Sequence, residues 1–451
     1  MKEILRFTPV ALFVLATATG AQQRPPIRQL GAVVATSGET FTNVAGIRAL
    51  SNGSVLVNDV FGRRVLLFDP RLSRFTVVAD STSATANAYG GRVGSLVAFR
   101  GDSSIFIDPS SVSMLIIDPS GKIARVMAIP RAEDAAGLGS GLGSTSFDAA
   151  GRLVYRAGGG LRLGGAAGLR RVEGAAGAGG FQLPDIPDSA LIVRVDLASR
   201  KVDTVGSIKT PKVKLESKQD DRGNISIQSL VNPLPVVDDW AVLPDGSIAF
   251  VRGRDYHVDW VNPNGTKTSS PKVPFDWQRL TDEDKIAFID SVKAARERLG
   301  ANAPVPVGTG TPGGALGGGG GGPQVQIFMG PGGPGGGPGG GPGGAPGTVR
   351  AGGNLGGQVN FVPPTELPDY KPPFLANSTR ADTEGNLWIR TIPTSAIAGG
   401  PVYDVINRKG ELVERVQIPV GRTILGFGPA GAVYLLHREG TTATLERASI
   451  R

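Results

Sequence analysis

The chain has 451 residues, a formal charge of +8 and no cysteine. The absence of cysteine excludes disulfides, thiolate metal centres and cysteine nucleophiles, so stability must come from core burial. Lys and Arg are scattered rather than gathered into runs, which argues against a nucleic-acid surface and leaves a solvated surface with a modest positive surplus, or attraction to anionic envelope polymers.

At the amino end Lys2 and Arg6 precede an apolar run, Val10 to Ala16, and small residues ending in Thr19-Gly20-Ala21. This is the pattern of a secretory signal peptide over residues 1–21, and it predicts an exported chain, periplasmic or extracellular. The run falls short of the roughly 20 apolar residues that span a bilayer, and no later stretch approaches that length. No cysteine stands at the cleavage point to carry a lipid.

A repeat then organises residues 22–451 as one domain. Its unit is an apolar strand, a turn with Gly or Asp, a second strand, a polar gap, a third strand ending near Asp or Asn, a turn and a fourth strand. The copy at Ile47 to Asp80 reads IRAL, SNG, VLVND, RRVLLFD, PRLS, RFTVVAD, and Val93 to Pro130 matches it element by element. Further copies centre on RLVYR and ALIVRVD, on DDWAVL and SIAFVR, on NLWIR and VYDVIN, and on TILGFG and AVYLLH. The last copy stops after three strands. The strand-like stretch Ile27 to Ala35 is expected to supply its missing outer strand and so close a ring without an open edge. Gly53, Gly151, Gly246, Gly385 and Gly431 occupy the turn between first and second strands, where positive φ is needed.

The pattern predicts an all-β fold, a six-bladed β-propeller with four-stranded blades. On these repeats, with LPDGSIAF and TEGNLWI as their clearest motifs, the chain resembles the six-bladed propellers of the NHL and TolB-like kind. The resemblance covers about 300 residues and implies the fold; a superfold licenses no activity by itself.

Two insertions break the period. The first, 158–187 in blade three, is mostly Gly, Ala and Arg and is read as a flexible loop. The second, 275–373 between blades four and five, opens with a predicted helix over 282–299. Thr281 caps it, Asp282, Glu283 and Asp284 suit its positive end, and Gly300 stops it. Its apolar stripe of Ile286, Ile289, Val292 and Leu299 is expected to dock on the propeller. Residues 308–357 then hold 26 of the 67 glycines, too little apolar surface to offset ordering entropy, and are expected to be disordered.

The glycine tracts match G-x-G-x-x-G only trivially, without the strand-to-helix context of a nucleotide site. No G-x-S-x-G elbow, H-E-x-x-H pair or D-x-D-x-D-G loop occurs. The two histidines, His257 and His437, hold different blade positions, so either can act as a lone general base but a shared metal site is not expected.

Aligning the repeats brings out one constellation. The residue at or just beyond the end of the second strand is Asp59, Asp108, Arg156, Arg252, Arg390 and His437 in blades one to six. Equivalent positions share one propeller face, so these six are the candidate ligand-binding residues, a polar ring at the channel mouth. The arginines would offer planar forks to a carboxylate or phosphate. The bland reading is salt bridging between neighbouring blades, Asp108 with Arg156 for example. Known enzymes with similar propellers imply a cation held by carboxylates and amides. Asn58, Asp59 and Asp108 fit that implication, whereas Arg252 and Arg390 would repel a cation.

The favoured reading is an exported module that binds a small ligand, or an envelope protein or polymer, at one face, with no cofactor and no metal. The alternative is a lactonase-like or hydrolase-like enzyme using Ca2+, or a metal-independent lyase using His437. A structural role in the envelope is the third reading.

Overall fold

The computed structural model describes residues 23–82, 89–90, 94–139, 145–157, 170–171, 181–182, 187–212, 214–219, 225–299, 325–329, 350–353, 360–395, 397–440 and 442–450. Residues 1–21, expected to be a signal peptide, and most of both glycine-rich stretches lie outside these residues.

Each repeat forms a four-stranded antiparallel sheet in which sequence neighbours pair. Sheet one is Val44–Ala49, Val55–Asp59, Arg64–Phe68 and Phe75–Ala79. Sheet two is Ser95–Ala98, Ser104–Asp108, Ser113–Ile117 and Ile123–Ala128. Sheet three is Ser146–Phe147, Leu153–Arg156, Ser189–Val195 and Val202–Lys209, and sheet four is Asp239–Val242, Ile248–Arg252, His257–Val261 and Lys267–Ser269. Sheet five is Phe374–Ala381, Leu387–Thr391, Val402–Ile406 and Leu412–Gln417; sheet six begins with Arg422–Gly428, Ala432–Glu439 and Thr442–Ser449.

The second strands Val55–Asp59 and Ser104–Asp108 are buried at every position, as expected of strands covered on both faces. What covers them is the neighbouring sheet. Leu56 and Val65 share a core with Phe106 and Leu115, Ile107 with Tyr155, and Val154 with Trp240 and Phe250. Val251 and Val258 pack on Phe374 and Ile389, Trp388 and Tyr403 on Val433 and Leu435. Finally Tyr434 and Leu436 pack on Val57 and Leu66, joining the last sheet to the first. That return contact makes the arrangement a β-propeller.

Closure differs from expectation by one sheet. Val33–Phe41 pairs antiparallel with Thr442–Ser449 and completes sheet six. Ile27–Gln29 instead pairs parallel with Arg415, Val416 and Gln417 on the outer edge of sheet five. Leu30, buried in the core between these sheets, marks where the chain crosses from one to the other.

Turn chemistry repeats with the sheets. Asp118 accepts the N–H groups of Ser120 and Lys122, and Asp382 those of Glu384 and Asn386, the Asx arrangement that replaces a backbone turn bond. Gly246 has φ +80°, and an added Cβ would come within 2.0 Å of the Ala149 nitrogen.

The predicted helix spans Asp282–Leu299. Thr281 and Asp284 cap it reciprocally, Oγ1 accepting from the Asp284 N–H and Oδ2 from the Thr281 N–H. Ile289 packs with Leu230, Leu234, Leu280, Val362, Leu367 and Ile392, and Val292 is buried, whereas Ile286 is half exposed. Leu375 lies in the first strand of sheet five and Ile392 directly follows its second, so the helix docks on its own propeller. An accessory sheet joins Lys214–Gln219 and Ile225–Val231 to Val325–Met329, Arg350–Gly353 and Asn360–Phe361. Two of these strands fall inside the stretch expected to be disordered; VQIFM is its one run of strand-forming residues. The hairpin at Lys214–Val231 had no counterpart in the repeat reading.

Candidate functional site

All six aligned residues stand at the same end of their sheets. Asp59 pairs with Val44 at the start of the first strand, His437 likewise with Arg422, and Asp108, Arg252 and Arg390 pair with Ser113, His257 and Tyr403 near the start of the third. Along a strand, side chains alternate between faces, so their directions follow from their buried neighbours. Arg390 points the way of Trp388, and His437 the way of Val433 and Leu435, both into the wedge between sheets five and six. Arg156 follows Val154, and Arg252 follows Phe250, into the wedge between sheets three and four. Asp59 projects toward sheet six and Asp108 toward sheet one.

The acidic pair is held locally. Asp59, 2% exposed, accepts from the Gly62 N–H and from Arg64 Nε at 2.8 Å, and Arg64 continues to Glu39 at 2.6 Å. Asp108 accepts from the Ser110 N–H and the Ser111 hydroxyl; among the described residues it makes no ion pair with Arg156. Asn58 gives its amide to the Gly94 carbonyl and accepts the Tyr89 hydroxyl.

In the wedge of sheets three and four, Arg252 is saturated. It donates to Asp259, Asp238 and the Ser207 carbonyl at 2.8, 2.8 and 2.9 Å and lies over the Phe250 ring. Burial opposes its charge, but the two carboxylates outweigh burial and raise its pKa. His257 is saturated too, with Nδ1 2.8 Å from Asp255 and Nε2 3.2 Å from Asp259. Arg156 is half-buried and makes no hydrogen bond among the described residues. Burial lowers its pKa, against the nearby charge of Asp239. Asp239 is itself 3% exposed and accepts the N–H groups of Thr379 and Trp240. Burial raises its pKa against those bonds and against Arg380.

Across the ring, Arg390 has no hydrogen bond or ion pair among the described residues. His437 faces Glu446, 4% exposed, with Nδ1 3.1 Å from Oε1. Arg422 grips the same carboxylate through Nε at 2.6 Å and Nη2 at 3.0 Å. His437 Nε2 points toward Glu439, which is 78% exposed, at 3.5 Å.

Asp404, fully buried between sheets four and five, accepts the Tyr256 hydroxyl at 3.0 Å and lies 3.4 Å from Arg415 Nε. Desolvation pushes its pKa up to about 6, against Arg415, the Tyr256 hydroxyl and Arg24. Arg24 reaches this place from the amino-terminal segment and pairs with Asp276 over the Phe275 ring. Asp238, Asp239, Arg380, Arg422 and Glu446 lie outside the second strands, so an alignment of those strands does not reach them; the signal visible in the sequence is the DDW triplet, Asp238 to Trp240, at the head of sheet four. Among the described residues no three of His, Asp and Glu group as a metal site requires.

No family model matches the chain, and no curated protein matches it by sequence. By structure it is similar to the calcium-binding protein regucalcin from Agrobacterium tumefaciens, at 12% identity and TM-score 0.39 over 94% of this chain and 96% of that one. It is also similar to virginiamycin B lyase from Staphylococcus aureus, at 9% and 0.33 over 93% and 98%. A luciferin-regenerating enzyme matches at 10% and 0.38 over 91% and 92%. The propeller itself rests on the six sheets and the cores they share. Among the described residues no helix is long and apolar enough to cross a membrane.

Proposed function

We propose that the chain is an exported six-bladed propeller of the NHL and TolB-like kind that binds a small anionic or zwitterionic ligand on the face where the second strands end. One observation carries the reading. Of the three arginines placed there, Arg252 is matched by two carboxylates, whereas Arg156 and Arg390 are half-buried without a hydrogen-bonded partner among the described residues. A guanidinium withdrawn from water without an acceptor is costly, and a carboxylate or phosphate from a ligand would supply one. The accessory helix and sheet, docked on Ile392 two residues beyond Arg390, would wall the same face.

Thermal melting with sulfate, phosphate or citrate tests this. An anion bound only by the native state, at a hundredfold excess over Kd, adds roughly 3 kcal/mol of stability, a rise of a few degrees. The rise is expected in the parent chain and should vanish in an Arg156→Ala, Arg390→Ala double variant. Equal melting with and without each anion, or an undiminished response in the double variant, would sink the reading. Parallel melts with calcium and with a chelator address the alternative, a cation-dependent hydrolase.

A further inference from the structure

We propose that the wedge between sheets five and six is an oxyanion site whose affinity is set by the protonation of His437. The proposal rests on the reading of Arg390 as an anion receptor and adds to it a second, switchable positive group.

The wedge is lined by one residue from each of four strands. Arg390 enters from the second strand of sheet five. His437, Arg422 and Glu446 enter from the second, first and third strands of sheet six, each on the side of that sheet that carries Val433, Leu435, Ile424 and Ala448 into the shared core. Neighbouring sheets pack about 10 Å apart, a gap that an arginine and an imidazole approaching from opposite walls can close around a tetrahedral or planar oxyanion.

The positive charge of this wedge depends on the protonation of His437. With His437 neutral, Arg422 is matched by Glu446 and, farther out, Arg28 by Glu414, which leaves Arg390 as the one standing charge without a paired carboxylate among the described residues. Protonation adds a second positive group beside Arg390, and an oxyanion is the partner that both can share. The anchoring is already present: Glu446, fixed by two bonds from Arg422, receives Nδ1. Nε2 lies beside Gly421 and faces the exposed Glu439 at 3.5 Å. His257 shows the contrast, because both its ring nitrogens are occupied by Asp255 and Asp259.

Binding and protonation are then linked reciprocally: acid tightens anion binding, and the anion favours the imidazolium. Sulfate is the probe, because it keeps its charge over the working range. With only two histidines in the chain, their ring C–H signals in a carbon–proton correlation spectrum can be assigned with a single His257→Gln variant.

Sulfate is expected to move the His437 signals and leave those of His257 in place. It should bind about three- to tenfold more tightly at about pH 5.5 than at about pH 8, and His437→Gln should abolish that difference while retaining the weaker binding. If sulfate stabilises the protein but leaves the His437 signals unmoved at both pH values, the coupling is wrong and the arginine reading stands. If the His437 signals move equally in Arg390→Ala, the arginine reading is wrong at this wedge while the histidine remains a receptor. A Kd independent of pH in the parent chain overturns the proposal outright.

Discussion

Two wedges of the propeller receive a charged residue from each wall, and they are neutralised in different ways. Between sheets three and four, Arg252 and His257 are enclosed by Asp238, Asp255 and Asp259. Between sheets five and six, Arg390 faces no carboxylate among the described residues and His437 is held on one side only. The cause lies in the third strands. Asp259 sits between Val258 and Trp260, which belong to the core with sheet five, so its side chain turns back toward Arg252. Asp404, in sheet five, sits between Tyr403 and Val405, which face sheet six, so it turns away from Arg390 toward Tyr256. In a strand a one-residue offset reverses the face, and here it separates a strut from a receptor.

The largest test of this difference is to remove the packing that defines the second wedge. Trp388 is 1% exposed, stacks near Tyr403 and Phe427, and donates Nε1 to Asp382. Trp388→Ala is expected to cost about 3–5 kcal/mol and to abolish any sulfate response tied to His437. Denaturant unfolding gives the first and melting with sulfate the second; a stable variant with an intact response would place the site elsewhere.

The misdirected acid predicts a pH effect of intermediate size. Asp404 has its folded pKa raised from 3.8 to about 6, so the native state holds its proton more tightly than the unfolded chain. Its contribution is therefore full below about pH 4 and is lost as pH rises through about 6, a change of about 2–3 kcal/mol. Asp404→Asn should remove that component. The stability of the variant relative to the parent is expected to rise between pH 4 and 7 and then level. A difference that is flat across this range would mean that Asp404 ionises normally.

Most of the backbone plan was legible in the residues. The repeat, the glycine turns and the closing amino-terminal strand all follow from strand and turn chemistry that acts within a few residues. The face each side chain serves was not legible, because it depends on which neighbour fills the core. Aligning strand ends sets Arg156 against Arg252, but by register Leu153 matches Ile248 and Arg156 matches Val251, so the two arginines are offset by one residue and meet in one wedge from opposite walls. The partners Asp238 and Glu446 come from the residue before a first strand and from a third strand, positions that no second-strand alignment samples.

The smallest effect on stability carries the sharpest form of the comparison. If a carboxylate on the right face is all that makes Arg252 a strut, then Asp259→Asn with Asp238→Asn should turn the wedge of sheets three and four into an anion site. Arg252 is a quarter exposed, so solvent offsets part of the lost pairing and the cost should be modest, about 1–2 kcal/mol. Sulfate should then restore much of that stability, with a larger melting response than in the parent chain, and Arg252→Ala in the same background should remove the extra response. A double variant that loses stability without gaining a sulfate response would show that the wedge is closed by packing rather than by charge. That Arg390 has no acceptor among the described residues would then not point to a ligand.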